Sequence, residues 1–114
     1  MKVYGIKNCD TVKKALTWLD DHNVVYEFHD YKKLGVTQEK LHEWSDKLAW
    51  ESLLNKRGTT WKKLDPEIQN QAQQKEFALA LMQEKTSIIK RPVLEFKQSL
   101  LIGFDEDLYK QKLL

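Results

Sequence analysis

The residue best suited to chemistry is Cys9, the only cysteine of the chain, set in Tyr4-Gly5-Ile6-Lys7-Asn8-Cys9-Asp10-Thr11. A thiol acts as a nucleophile only as its thiolate, so what matters is whether its neighbours favour the charged form. Asn8 and Asp10 are polar, and Lys7, Lys13 and Lys14 add positive charge nearby. Val3, Tyr4 and Ile6 form a short β-branched and aromatic run that ends in a polar turn, the pattern of a strand. Val12, Ala15, Leu16 and Leu19 then follow at i, i+3, i+4 and i+7, one apolar face of a helix. Asn8 or Asp10 is the expected cap, which puts Cys9 in the first helical turn. There the unpaired backbone N–H groups and the positive end of the dipole favour a negative sulfur. Thiols so placed commonly titrate between about 3.5 and 7.5 instead of near 8.5. A second reading stands beside this one, since free cysteines often act only as small buried hydrophobes.

The rest of the composition narrows the function classes. A chain of 114 residues, 41% apolar and 32% charged, has the profile of one soluble globular domain. The net charge of +2, with acidic residues interleaved among the lysines, gives no basic stripe for nucleic acid. A lone cysteine cannot form the internal disulfide framework of a small secreted domain. The sequence enters a strand at Lys2 without an apolar leader, and no apolar run approaches the roughly 18 residues that span a bilayer. The expectation is a cytoplasmic protein that contacts neither nucleic acid nor membrane. His22, His29 and His42 fall on different elements with no ligand spacing to Cys9, so no metal site is expected.

These residues need a scaffold, and the remaining pattern supplies one. Asp20 to Asn23 reads as the exit of the first helix, and Val24 to Phe28 as a second strand, giving a right-handed βαβ unit. Asp30 to Val36 reads as a polar loop. Thr37 caps a helix whose face is Leu41, Trp44 and Leu48, and Leu53-Leu54 belong to another short helical piece. Asn55 to Trp61 is the longest break. Its basic residues, glycine and hydroxyls suit either an anion-contacting loop or a solvated turn. Pro66 opens a further helix after Asp65, and Phe77 to Met82, apolar nearly all round, reads as a buried helix. Val93 to Phe96 and Leu100 to Ile102 form an antiparallel hairpin, after which Asp105 caps a last helix carrying Leu108, Tyr109 and Leu113.

Four separated stretches carry a resemblance: Tyr4 to Thr11, Phe28-His29-Asp30-Tyr31, Arg57-Gly58-Thr59-Thr60-Trp61 and Ile89-Lys90-Arg91-Pro92. In this order they resemble the arsenate reductase (ArsC)/Spx family, and within it the YffB-type, arsenate-reductase-like branch, over essentially the entire chain. The resemblance implies an α/β, thioredoxin-like domain over residues 1–114. Its order is β-α-β, a helical insertion at about 37–84, then β-β-α, with a mixed four-stranded sheet flanked by helices. It implies that Cys9 is the nucleophile, that Arg91 holds oxyanion or thiolate charge beside it, and that Pro92 is cis. It places Arg57 in the region of a further anion-binding arginine. The Leu-Leu-Arg-Lys of the arsenate reductases here reads Leu53-Leu54-Asn55-Lys56, which displaces that arginine by two positions. The arginine expected after the hairpin is absent, since Ile102-Gly103-Phe104 offers no cation. Asn8, Asp10, Thr11, Pro92 and Val93 complete the implied substrate- and glutathione-binding set.

The implied activity is that of a glutathione-dependent thiol reductase, or an arsenate-type oxyanion reductase, working through a mixed disulfide or oxyanion adduct on Cys9. The position three residues on is Val12, so no Cys-x-x-Cys partner exists and an external thiol must resolve the adduct. Glutathione is the expected co-substrate, with no bound cofactor. The other expected partners are a small oxyanion or disulfide and a protein thiol, met by a monomer. The alternative is a Spx-like, non-catalytic adaptor that binds RNA polymerase or another protein through some of Trp18, Trp44, Trp50 and Trp61. Core packing is the competing account of most of those rings.

Overall fold

Strand β1 (Lys2–Gly5) is hydrogen-bonded on both sides, and everything near Cys9 is placed from it. The computed structural model describes residues 1–114 and divides into two compact units. Met1–Leu34 with Arg91–Leu114 forms the first, and Gly35–Lys90 forms the second. The first contains β1, α1 (Asp10–Asp21), β2 (Glu27–Asp30) and α2 (Tyr31–Leu34), then β3 (Val93–Phe96), β4 (Ser99–Ile102) and α7 (Glu106–Leu113). The four strands run in the order β2-β1-β3-β4. β1 pairs parallel with β2 and antiparallel with β3, which pairs antiparallel with β4. This is the mixed sheet of a thioredoxin-like α/β fold.

Alternation along the strands sends alternate side chains to opposite faces. Val3, Leu94 and Leu101 face one way and pack with Ala15, Trp18 and Leu19 of α1 and with Tyr109 of α7. Tyr4, with its register partners Val93 and His29, faces the other way, as does Glu95, two residues beyond Val93. The Arg91–Pro92 peptide bond is cis, immediately before β3. The hairpin turns through Lys97, whose φ of 55° lies in the left-handed region.

The second unit holds α3 (Gln38–Lys47), α4 (Thr59–Lys62), α5 (Pro66–Gln71), α6 (Lys75–Glu84) and two short 3₁₀ turns, Trp50–Leu53 and Thr86–Ile88. Thr37 caps α3 by accepting from the Lys40 N–H at 3.0 Å. Pro66 occupies the first turn of α5 after Asp65. The core of this unit comprises Leu41, Trp44, Leu53, Trp61, Leu79, Met82 and Ile88. An isolated antiparallel bridge joins Leu54 to Ile89, and the Lys90 N–H donates to the Leu53 carbonyl at 2.7 Å.

Several elements depart from the pattern read along the chain. The second strand begins at Glu27, not Val24, because its ladder starts opposite Lys2, and Val25 is left 87% exposed. The expected loop after Asp30 contains α2, and the Asp30 carboxylate accepts from the Lys32 N–H at 2.9 Å. The break at Asn55 to Trp61 is shortened by α4, which buries Trp61. The helix around Phe77 to Met82 is not buried all round. Ala78, Leu79, Leu81 and Met82 are inside, Ala80 is exposed and Phe77 is half-buried.

Gly5 marks a close approach of β1 to α1. A Cβ at this position would lie 2.9 Å from Cγ2 and 3.4 Å from Cγ1 of Val12. Val12 is fully buried, so neither methyl has room to retreat. Gly5→Ala should therefore destabilise the protein by about 1–3 kcal/mol. Adding Val12→Ala should make the double-variant coupling favourable, as measured by urea unfolding.

Candidate active site

The loop between β1 and α1 ends at Cys9, which is itself the N-cap of the helix. Its φ of −125° and ψ of 122° are extended, and Asp10 is the first helical residue. The expected cap at Asn8 or Asp10 is thus corrected by one position. With only three residues between the strand's end at Gly5 and Cys9, the chain turns into the helix at Cys9 itself. No capping hydrogen bond of ordinary geometry reaches its side chain. The thiol is half-buried.

Its acidity follows from several opposed influences. Burial raises the pKa of the thiol, which alone would keep it protonated. Against this, the Val12 N–H, a hydrogen bond from Arg91, the positive charge of Arg91 and the Thr11 N–H all favour the thiolate. Together they outweigh burial, so the thiol lies below its ordinary value. Val12 and Thr11 are the third and second residues of the helix, whose N–H groups have no intrahelical acceptor. A negative sulfur at the N-cap is the acceptor that they lack.

Arg91 reaches Cys9 because of the sheet register. Tyr4 pairs with Val93, so the residues just before Val93 lie beside the carboxyl end of β1. Gly5 pairs with Asp30, which brings Tyr31 to the same end of the sheet. Pro92 and Val93 are buried. The Pro92 carbonyl accepts from the Gly103 N–H at 2.8 Å, which ties this end of β3 to the segment after β4. Asn8, Asp10 and Thr11 are exposed, and of these the structure gives only Thr11 a role toward the sulfur, through its N–H. Arg57 belongs to the Gly35–Lys90 unit, where it is exposed and its N–H donates to the Asn55 side chain at 3.1 Å. No three His, Cys, Asp or Glu side chains gather where they could hold a metal ion.

A second layer stands at this end of the sheet that reading the sequence did not single out. The Tyr4 hydroxyl donates to Glu95 at 2.8 Å, and the Tyr4 ring lies 4.6 Å from His29 and 6.1 Å from Tyr31. Tyr31 is almost fully buried, and its hydroxyl has no hydrogen-bond partner. Burial first, then Tyr4 and Glu95, push its pKa well up, while Arg91 acts the other way. Its signal in the sequence was the Phe28-His29-Asp30-Tyr31 stretch, which periodicity alone read partly as loop. The Val12 N–H left no signal, since a main-chain donor is the same in every residue type.

Most of the tryptophans weighed as an adaptor surface are packed inside. Trp18, Trp44 and Trp61 are 6%, 0% and 9% exposed, and Trp50 is half-buried.

The model of the ArsC family matches residues 4–112, from the strand that precedes the cysteine into the last helix. The chain belongs to the ArsC family. Among solved structures it is similar to the YffB protein (PA3664), at 46% identity and a TM-score of 0.94, covering 99% of this chain and 98% of that one. It is also similar to an arsenate reductase (ArsC) related protein from Brucella melitensis, at 44% identity and a TM-score of 0.77 over 97% and 92% of the two chains. The global transcriptional regulator Spx of Listeria innocua is more distant, at 25% identity over 92% of this chain and 80% of that protein. Across this ArsC-family domain no helix is long and apolar enough to cross a membrane.

The geometry sets the pH dependence of Cys9. A thiol held below its ordinary pKa keeps its thiolate, and so its alkylation rate, until the pH falls through the lowered value. Arg91→Ala removes a hydrogen bond and a charge that both favour the thiolate. The midpoint of the iodoacetamide rate against pH should rise, because both contributions of Arg91 act to lower it. An unchanged midpoint would show that the helix N–H groups act alone.

Proposed function

We propose that this ArsC-family protein is a glutathione-dependent thiol–disulfide reductase that uses Cys9 as its only nucleophile. The observation that carries the reading is the Arg91 guanidinium hydrogen-bonded to a half-buried Cys9 whose pKa is lowered at a helix N-cap. The Cys9 thiolate attacks one sulfur of a disulfide. The Cys9–sulfur bond forms as the substrate's S–S bond breaks, and the departing thiolate takes up a proton. Arg91 and the Val12 and Thr11 N–H groups stabilise sulfur charge before attack, and again when Cys9 is the leaving group. No second cysteine is present to resolve the mixed disulfide, so a glutathione thiolate attacks its outer sulfur. The Cys9–sulfur bond breaks to release the Cys9 thiolate, and a disulfide of glutathione with that sulfur forms. It is glutathione disulfide when the sulfur held on Cys9 is itself glutathione's.

An oxyanion such as arsenate needs more arginine contacts than this cysteine has on its own unit, whose one arginine is Arg91. Bidentate arginine contacts are the strongest way to hold a multiply charged oxyanion. After the hairpin, where the resemblance leads one to expect an arginine, the chain has Gly103-Phe104. Disulfides are therefore the better electrophile. The adaptor alternative loses its main support with the burial of Trp18, Trp44 and Trp61.

The test is reduction of a glutathione mixed disulfide with glutathione as the sole reductant. Wild type should turn over, Cys9→Ser should fall to background, and Arg91→Ala should lose most of its rate at pH 7. Arsenate in the same assay should give a much lower rate. Full turnover by Cys9→Ser would end the proposal.

A further inference from the structure

The Tyr31 hydroxyl is a buried polar group that the chemistry at Cys9 leaves unused. The residue is 2% exposed, and its oxygen is sealed from solvent without a hydrogen-bond partner. A hydroxyl in that condition costs stability, and Phe in its place would remove the cost while keeping the ring. The ring itself is fixed. It lies 6.1 Å from the Tyr4 ring and edge-on to His29 at 6.2 Å, and the Tyr4 hydroxyl is tied to Glu95.

Arg91 connects this hydroxyl to the sulfur. Gly5 opposite Asp30 and Tyr4 opposite Val93 bring Tyr31 and Arg91 to one end of the sheet. Tyr31 follows β2 and Arg91 precedes β3, on either side of β1. The charge of Arg91 acts on the Tyr31 hydroxyl as well as on the Cys9 thiol, so one guanidinium is within electrostatic reach of both. Before reaction it donates a hydrogen bond to the Cys9 sulfur. Attack on a disulfide then consumes the charge of that sulfur. A neutral sulfur is a weak acceptor, whereas a phenol oxygen accepts well. Arg91 is half-buried, and a charged donor that loses its acceptor away from water costs more than a neutral one. The guanidinium carries several N–H groups on a flexible stem, so a small rotation redirects one of them.

We propose that Tyr31 is a positioning residue for the second half of the reaction. When Cys9 is held in a mixed disulfide, the Tyr31 oxygen accepts the Arg91 N–H that the sulfur has released. The exchange keeps the guanidinium paired beside Cys9 while the adduct awaits glutathione, and it stabilises the mixed disulfide relative to the thiolate. It also gives a partner to a hydroxyl that has none while Cys9 is a free thiol. The inference rests on Cys9 forming a mixed disulfide, and it adds what stabilises that intermediate.

The test compares wild type with Tyr31→Phe at equilibrium with glutathione and glutathione disulfide at neutral pH. The Cys9 thiolate attacks glutathione disulfide, the Cys9–glutathione disulfide forms, and one glutathione thiolate leaves. Cys9 is oxidised and the departing glutathione is reduced. The fraction of protein carrying glutathione is read by intact-protein mass spectrometry after acid quenching. Tyr31→Phe should lower the equilibrium constant for the mixed disulfide about tenfold, the size of one hydrogen bond to a charged group. The midpoint of the iodoacetamide rate against pH should stay at the wild-type value, because the hydroxyl makes no hydrogen bond before reaction. In urea, reduced Tyr31→Phe should unfold at the wild-type concentration or above it, and its glutathione adduct below the wild-type adduct. Equal equilibrium constants for the two proteins would overturn the exchange and leave the nucleophile intact. Equal destabilisation of the reduced variant and its adduct would also overturn it, making Tyr31 a packing residue. A wild type that forms no mixed disulfide would overturn both readings.

Discussion

The register of β1 against β3 holds the site together. Tyr4 opposite Val93 brings Arg91 to the carboxyl end of β1, although the arginine is far from Cys9 in sequence. The same register buries Val3, Leu94 and Leu101 against α1 and α7. A slip of one residue would turn Leu94 out of that core, so the pairing is fixed by apolar burial. The force that specifies the fold therefore also delivers the guanidinium to the sulfur.

At Cys9 the balance is between desolvation and donated hydrogen bonds. A half-buried sulfur loses water that would otherwise solvate its charge, and that loss favours the neutral thiol. The site overcomes it with groups already organised for other reasons: N–H groups that any helix start leaves unpaired, and an arginine anchored beside the cis Arg91–Pro92 bond. Behind them Tyr4 fixes Glu95 through a hydrogen bond, and the Tyr31 hydroxyl lies buried within reach of both charges. A buried hydroxyl without a partner is costly to the fold, and such costs concentrate at functional positions.

Helix α1 serves several ends at once. Its buried face, Val12, Ala15 and Leu19, packs into the core, and its first turn meets the sulfur. Its exposed side presents Lys13, Lys14 and Asp21 beside an aromatic lining. Trp18 belongs to the core and also to an open groove lined by Phe104 and Glu106, which is why a large ring there is nearly buried and still lines a surface feature. The Gly35–Lys90 unit has its own core, with Trp44 and Trp61 inside it. Trp50, in the same unit, is half-buried.

Local order was legible in the chain wherever one residue type had one physical use. The spacing of Val12, Ala15, Leu16 and Leu19 specified α1, Thr37 and Asp105 specified helix starts, and the two apolar runs after Pro92 specified the hairpin. The run at Val24 to Phe28 misled because strand residues are recognised by their apolar character. Where the strand begins depends on which partner residues remain to be paired, and β1 has only four. Ala80 was misread for a related reason, since composition cannot say which side of a helix meets a neighbour. For the site, the sequence by itself determined a lone cysteine between a strand and a helix and an arginine before a proline. Only the tertiary structure decided that these meet, that Cys9 is the cap itself, and that Tyr4, Tyr31 and Glu95 stand behind the arginine. Strand register and burial set those relations, and both are properties of the assembled chain that no short stretch of it contains.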